Sequence, residues 1–332
     1  LTAHKLMNNL KDIPVLITGG CGMVGSHLVD YYFEHGQQVS ATHYTHPTID
    51  LDEVRHKAEY IPCDVRDKAL MLQIVERLRP QTIYHLAAQS YPTVSWEKPA
   101  ETIDININGT VNLFEAVKSI RKTMPDYDPM IVIACSSAEY GAALTPENVP
   151  IKETAPLQPL HPYGVSKVGQ DLLGFQYYCN DGIRNIRARI FNTTGPRKVQ
   201  DVVSDFTQRA VLWEMGKVSA ISVGNLRTQR AITDVRDLIQ ALIQLADKGI
   251  PGEVYNICGD AIYQIADIIT IIENQLGKKI PVTENPALLR ASDEPIIYGD
   301  ASKLKACTGW QQSYSLEQTI ADMLAYWRKK IS

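Results

Sequence analysis

No apolar run in the 332-residue sequence approaches the ~20 residues that a membrane-spanning helix needs. No secretory signal stands out either, so a soluble, cytoplasmic protein with no membrane partner is expected. Positive charge is not in excess: 33 Lys and Arg stand against 37 Asp and Glu, a formal net charge of -4. That balance offers no general attraction to nucleic acid, and any anionic ligand must be held by locally placed arginines. Close cysteine pairs are also missing. Cys21, Cys63, Cys135, Cys179, Cys258 and Cys307 are scattered, a distribution that builds neither a zinc site nor a redox motif, so free thiols and no metal are expected. There is no low-complexity tract, long like-charge run or internal repeat. With 45% hydrophobic and 21% charged residues, the composition is that of a folded domain and excludes a disordered scaffold. The first stretch, "LTAHKLMNNLKD", has little pattern, and residues 1–12 are expected to be an arm or a remnant outside the fold.

What is present is alternation. "IPVLITGG", "QQVSATHY", "AEYIPCDV" and "TIYHLAAQ" are short apolar runs, separated by the longer amphipathic runs "MVGSHLVDYYFEHG" and "KALMLQIVERLRP". Strand, helix, strand, helix in this order predicts parallel βαβ units and a doubly wound α/β sheet of Rossmann type. A long helix is predicted over "PAETIDININGTVNLFEAVKSI", then a strand "MIVIACSS", a helix starting at Pro162, and a strand "IRNIRARIFN" ending near Asn192. Residues 13–192 are expected to form the nucleotide-binding domain. Residues 193–332 are expected to form a smaller mixed lobe, with "GEVYNICG" returning to the main sheet.

Between the first strand and the first helix, "ITGGCGMVGSHL" places Gly19, Gly22 and Gly25. Glycines there permit a tight turn and a close approach of backbone N–H groups to a pyrophosphate, which the helix N-terminus favours electrostatically. Further along, Tyr163 and Lys167 stand four apart in "YGVSK", on one face of the predicted helix. A phenol titrates near pH ~10 and is a poor proton exchanger at neutral pH. A neighbouring ammonium is expected to draw that value down and fit the phenol for acid–base work.

The glycine spacing, with "YGVSK" after a strand ending in Ser136, resembles the extended short-chain dehydrogenase/reductase family, and the resemblance covers almost the whole chain. It implies a dinucleotide held by Gly19, Gly22, Met23, Val24, Gly25, Asp64, Val65, Leu86, Ala87, Ala88, Tyr163 and Lys167. Asp64 would face the adenine, and Asn106 would lie near the active site. In catalysis Ser136 would orient the reacting oxygen, Tyr163 exchange its proton, and Lys167 also hold the nicotinamide ribose, with Ser137, Asn106 and Glu139 as accessories. The second strand ends in His43 and Tyr44 without a carboxylate, which tilts the expected cofactor to NADP(H), with His43 as a phosphate contact and NAD(H) as the alternative.

"FNTTGPRK", "VGNLRTQR", "ITDVRDLIQAL" and "LLRASDEP" resemble the GDP-sugar-modifying members, which reduce GDP-4-keto-6-deoxy-mannose or dehydrate GDP-mannose. They imply a nucleotide-diphosphate sugar, a GDP-sugar by this likeness, contacted by Gln89, Asn192, Arg197, Arg230, Arg290 and Asp293. Two departures stand out: no histidine follows Asn192, and Ala231 replaces the aspartate common after Arg230. Dehydration would need a base, in such enzymes a glutamate two residues after the catalytic hydroxyl. Counting from Ser136 gives Ala138, and if the segment is extended Glu139 points the other way. A C4 reductase is therefore expected. A 4,6-dehydratase, a C4 epimerase and a non-catalytic NADP-binding sensor are the alternatives. The helices at roughly 97–121 and 162–181 resemble those of the family's four-helix homodimer interface.

Overall fold

The tetrad Val15–Thr18 is buried throughout as β1, as a continuous apolar run without alternation must be in the middle of a parallel sheet. The computed structural model describes residues 14–44, 48–288 and 294–332; the expected N-terminal arm lies outside them. Around β1 run β2 (Ser40–His43), β3 (Glu59–Pro62), β4 (Thr82–His85), β5 (Met130–Ser136), β6 (Asn185–Ile190) and β7 (Val254–Ile257). All seven are parallel, in the order β3-β2-β1-β4-β5-β6-β7. The order reverses at β1, which opens a crevice at the carboxyl ends of β1 and β4.

The two-residue strand period sends neighbouring side chains to opposite layers. Val15 and Ile17 join a core with Leu28 and Val29 of α1 (Met23–Glu34), while Leu16 faces a second core with Met71 and Val75 of α2 (Lys68–Leu78). The second layer is completed by α3, a helix through 99–121 that contains a π turn at Asp104–Asn108. The first is completed by α5 (Val235–Lys248). Between these in the chain, α4 (Pro162–Asp181) begins on Pro162, with His161 as its cap accepting from the Gly164 N–H at 3.0 Å. The second lobe packs Val202–Glu214, Ile265–Leu276 and Leu316–Ile331 around a separate core containing Phe206, Ile268, Ile320 and Trp327.

Strand β6 stops at Ile190, two residues before the predicted Asn192. Thr193–Thr194 pairs instead with Thr233–Asp234, and this change of partner directs the chain out of the sheet into the second lobe. Within β6, Ile186 and Ala188 face the α5 layer, so Arg187 and Arg189 must face α4. There Asp171 receives both, Oδ1 from Arg187 Nη1 at 2.8 Å and Oδ2 from Arg189 Nε at 2.9 Å. Three buried ionised groups survive because each charge has a geometrically matched partner. Asp171→Ala should therefore destabilise the fold by roughly 3–5 kcal/mol in denaturant unfolding, since it removes the carboxylate that two buried guanidiniums share. A loss below about 1 kcal/mol would contradict the pairing as a structural clamp.

Candidate active site

At the crevice, Gly19 adopts φ 75°, and a Cβ there would lie 2.9 Å from the backbone of Ala87. A Cβ on Gly25 would lie 2.3 Å from the Gly19 carbonyl oxygen. These two glycines let the turn close on itself and β4 approach it. Gly22 caps α1 with no side-chain hydrogen bond, which leaves the helix's first N–H groups facing the crevice without a side-chain acceptor. A pyrophosphate fits that donor set.

Met23 is buried and Val24 packs beside the same core. The Leu86 and Ala87 N–H groups donate to Thr18 Oγ1, each at 3.1 Å, and Ala88 follows at the same edge. Val65 is buried against α3 and its carbonyl accepts from Asn112 Nδ2 at 2.9 Å. Asp64 is gripped by Arg66 through Nε at 3.0 Å and Nη2 at 2.6 Å. That bond holds its carboxyl below the usual range. Arg66 also reaches the Tyr44 hydroxyl at 3.4 Å, and His43 sits edge-on to Tyr60.

The end of β5 meets α4 and α3. Tyr163 is half-buried, and Lys167 is buried with Nζ donating to the Ala134 carbonyl and to Gln170 Oε1, both at 2.7 Å. The π turn adds a residue to one turn of α3 and directs Asn106 fully inward. Its Oδ1 accepts from the Gln89 N–H at 2.8 Å, and its Nδ2 donates to the Gln89 carbonyl at 3.0 Å and to Ser166 Oγ at 2.8 Å. Asn106 thus ties the loop after β4 to the helix that carries Tyr163 and Lys167. Gln89 is itself engaged, with Nε2 donating to Thr102 Oγ1 at 3.0 Å.

One expectation is reversed. The Tyr163 phenol is pushed up to about 12, because burial outweighs the opposing pull of the Ser136 hydroxyl. Lys167 does not lower it: the ammonium is turned to Ala134 and Gln170 and lies 5.7 Å from the ring centroid. Burial brings Lys167 itself down to about 8. Tyr163 is thus a neutral phenol at physiological pH, holding a proton it can donate.

The stretch after Ser136 is not extended. Ser136 Oγ accepts from the Ala138 N–H at 3.1 Å and starts the 3-10 turn Ser137–Glu139. Glu139 folds back so that Oε1 accepts from the Ser136 N–H at 2.8 Å, while Oε2 lies 3.2 Å from Arg189 Nε. It is fully buried, and burial, reinforced by Asp171, raises its pKa above the usual carboxyl range. Ser137 is buried and its carbonyl accepts from the Tyr140 N–H. Tyr140 follows this turn and is core: its hydroxyl donates to Asn256 Oδ1 at 2.7 Å and accepts from Arg189 Nη1 at 2.9 Å.

Of the expected sugar-nucleotide contacts, Asn192 is exposed. Arg197 is turned onto α1, with Nη2 2.7 Å from Asp30 and Nη1 3.3 Å from Ser26 Oγ. Arg230 donates from Nη1 to the carbonyls of Gln229 and Glu294. Arg290 and Asp293 lie outside the described residues. Sequence reasoning passed over Gln170, Thr110, Arg66 and His161, whose ring stacks toward that of Tyr163 with centroids 5.9 Å apart. The signal available for Gln170 was a polar residue one turn beyond the lysine on the same helix.

The family model described as GDP-mannose 4,6 dehydratase matches residues 16–323. GDP-6-deoxy-D-mannose reductase of Pseudomonas aeruginosa is 26% identical, over 96% of this chain and 98% of that one. GDP-mannose 4,6-dehydratase of Yersinia enterocolitica is 25% identical, over 93% and 92%. Among solved structures, RMD from Pseudomonas aeruginosa complexed with NADPH has a TM-score of 0.81 at 24% identity, covering 96% of this chain and 99% of that one. UDP-glucose 4-epimerase of Thermotoga maritima with UDP-glucose has a TM-score of 0.84 at 26% identity, covering 96% and 100%. The match takes in the glycine turn, the β5 edge and the second lobe alike, and the chain belongs to the GDP-mannose 4,6 dehydratase family, a group of nucleotide-sugar oxidoreductases and dehydratases within the extended short-chain dehydrogenases/reductases.

Proposed function

We propose that this enzyme reduces C4 of GDP-4-keto-6-deoxy-D-mannose with NADPH, NADH being the alternative donor, and yields a GDP-6-deoxyhexose of the rhamnose type. The observation that carries the reading is the turn after Ser136. The position two residues on is Ala138, whose methyl has no proton to exchange, and the adjacent carboxyl of Glu139 is buried against the Ser136 N–H and Arg189. Dehydration requires a base for the C5 proton and an acid for the departing C6 hydroxyl. Reduction requires neither.

A nicotinamide cofactor, when bound, supplies the hydride. Ser136 hydrogen-bonds the C4 oxygen, and the neutral Tyr163 phenol protonates that oxygen as it becomes an alkoxide. The Lys167 ammonium, turned to Ala134 and Gln170, keeps one proton for the nicotinamide ribose. A phenol that keeps its proton at neutral pH can serve as the donor that reduction needs. Met23 and Val24 N–H groups serve the pyrophosphate. His43, at the end of β2, and Arg66, in the loop after β3, serve a 2'-phosphate where a carboxylate would favour a hydroxyl. Asn192, Arg197, Arg230, Arg290 and Asp293 serve the GDP-sugar; for Arg197 this entails exchanging Asp30 for a diphosphate oxygen.

The dehydratase reading draws on the Yersinia relative and on the family's own description, and the two readings separate by substrate. NADPH absorbance should fall with the keto sugar and not with GDP-mannose, and Tyr163→Phe should lower that rate by about 10²-fold or more while leaving nucleotide binding near wild type. Water loss from GDP-mannose would sink the reductase reading. Glu139→Gln keeps an acceptor for the Ser136 N–H and should retain turnover within a few-fold; a loss of about 10³-fold would make Glu139 a working acid or base.

The same helices form the proposed homodimer. Val165, Leu172 and Phe175 are exposed at helical spacing on α4, an apolar stripe suited to a four-helix bundle with a second copy. Leu172→Glu should shift the protein from dimer to monomer in sedimentation; a wild-type monomer, or a variant dimer, would contradict this interface.

A further inference from the structure

Lys167 brings a charge into the protein interior, and among the described residues no carboxylate pairs with it; two neutral oxygens accept from it instead. One is the Ala134 carbonyl, fixed by the sheet. The other belongs to Gln170, whose orientation is fixed by what lies behind it. Gln170 Nε2 donates to Thr110 Oγ1 at 2.7 Å. The Thr110 hydroxyl spends its proton on the Asn106 carbonyl at 2.7 Å, so its oxygen only accepts. His85 Nε2, 3.0 Å from that oxygen, must then carry the ring proton, and Nδ1 must accept from Thr18 Oγ1 at 2.9 Å. Thr18 Oγ1 accepts in turn from the Leu86 and Ala87 N–H groups.

Each link of this chain pairs one donor with one acceptor, and it reads in one direction only. Turning the Gln170 amide over would set its NH₂ against an ammonium and its oxygen against a hydroxyl oxygen with no proton to give. Burial brings the His85 pKa down to about 3, so the ring stays neutral and Nδ1 remains an acceptor.

We propose that Gln170 is a positioning residue for Lys167, locked through Thr110 and His85 so that its oxygen takes one ammonium proton and the third ammonium proton stays free for the active site. The proposal rests on the reading of Tyr163 as the proton donor with Lys167 at the same site, and it adds the device that aims the lysine. An ammonium offers three donors. With two committed at 2.7 Å, the direction of the third is determined.

Besides Gln170, the titratable and charged groups around Lys167 are Tyr163 and Asp171 on its own helix, Cys135 on β5, Glu139 on the turn after it, His85 on β4 and Arg189 on β6. Cys135 and Glu139 favour the ammonium, but burial outweighs both. Removing the Gln170 oxygen therefore removes support from the charged form.

The test follows the Lys167 titration by NMR in protein carrying ¹³C-labelled lysine, with Lys167→Met assigning the signal. Gln170→Met should move the midpoint down by about one pH unit, and Gln170→Glu, which offers an anionic acceptor, should move it up by about one. The alkaline limb of kcat should move in the same directions, with KM for the keto sugar unchanged within two-fold. A purely structural role would lower activity equally at all pH values and leave the lysine midpoint in place. An unchanged midpoint in folded Gln170→Met overturns the proposal, and if that variant fails to fold, an unchanged midpoint in Gln170→Glu does so. Failure of the underlying reading is separate: it shows as turnover retained by Tyr163→Phe and leaves the lysine titration as it was.

Discussion

A lysine ammonium placed in the interior at the carboxyl edge of a parallel sheet is the constraint from which most of this site follows. Desolvation favours loss of its proton, as its fall to about 8 reflects. Cys135 and Glu139 oppose that fall, and two fixed oxygens accept from the ammonium. Those oxygens require the β5 backbone, the α4 carboxamide and, behind it, Thr110 on α3 and His85 on β4. Four elements are therefore held in register by one polar chain. The π turn belongs to the same arrangement, because it brings Asn106 inward to bind both the loop after β4 and Ser166 on the lysine's helix.

A second buried network fixes where Glu139 lies. Arg187 and Arg189 enter α4's side of the sheet because of the strand period, and Asp171 answers both. Arg189 also lies beside Glu139 and Tyr140. This positive centre, with the Ser136 N–H, gives Glu139 a place inside the protein and away from the crevice. A 3-10 turn, and not a continued strand, makes that placement possible. The Glu139 carboxyl, three residues after Ser136, thus supports the serine's backbone N–H from inside the protein.

The sheet was legible because its signals are local. Apolar runs without alternation mark central strands, glycines at fixed spacing mark the first turn, and Pro162 marks a helix start. The proximity of Tyr163 and Lys167 followed from their spacing alone. The energetics of that pair did not, since spacing does not say where the ammonium turns, and burial raised the phenol where proximity had suggested lowering it. Gln170 was opaque for a similar reason: on a helix a polar residue reads as solvent-facing until the neighbouring helix supplies Thr110. The turn at Ser137–Glu139 depends on Ser136 capping it with its own hydroxyl, a choice no periodicity records. Arg197 was read as an anion-binding guanidinium, and its partner in the structure, Asp30, is remote in the chain.

The proposed reduction brings hydride from an external cofactor to sugar C4 and removes no proton from C5. Reaction of GDP-4-keto-6-deoxy-D-mannose with NADPH deuterated at the transferable position, followed by NMR of the product sugar, measures this directly. Deuterium at C4, with C5 hydrogen unexchanged in deuterated solvent, is the predicted result. Solvent deuterium at C5, with none delivered to C4 from the cofactor, would contradict it.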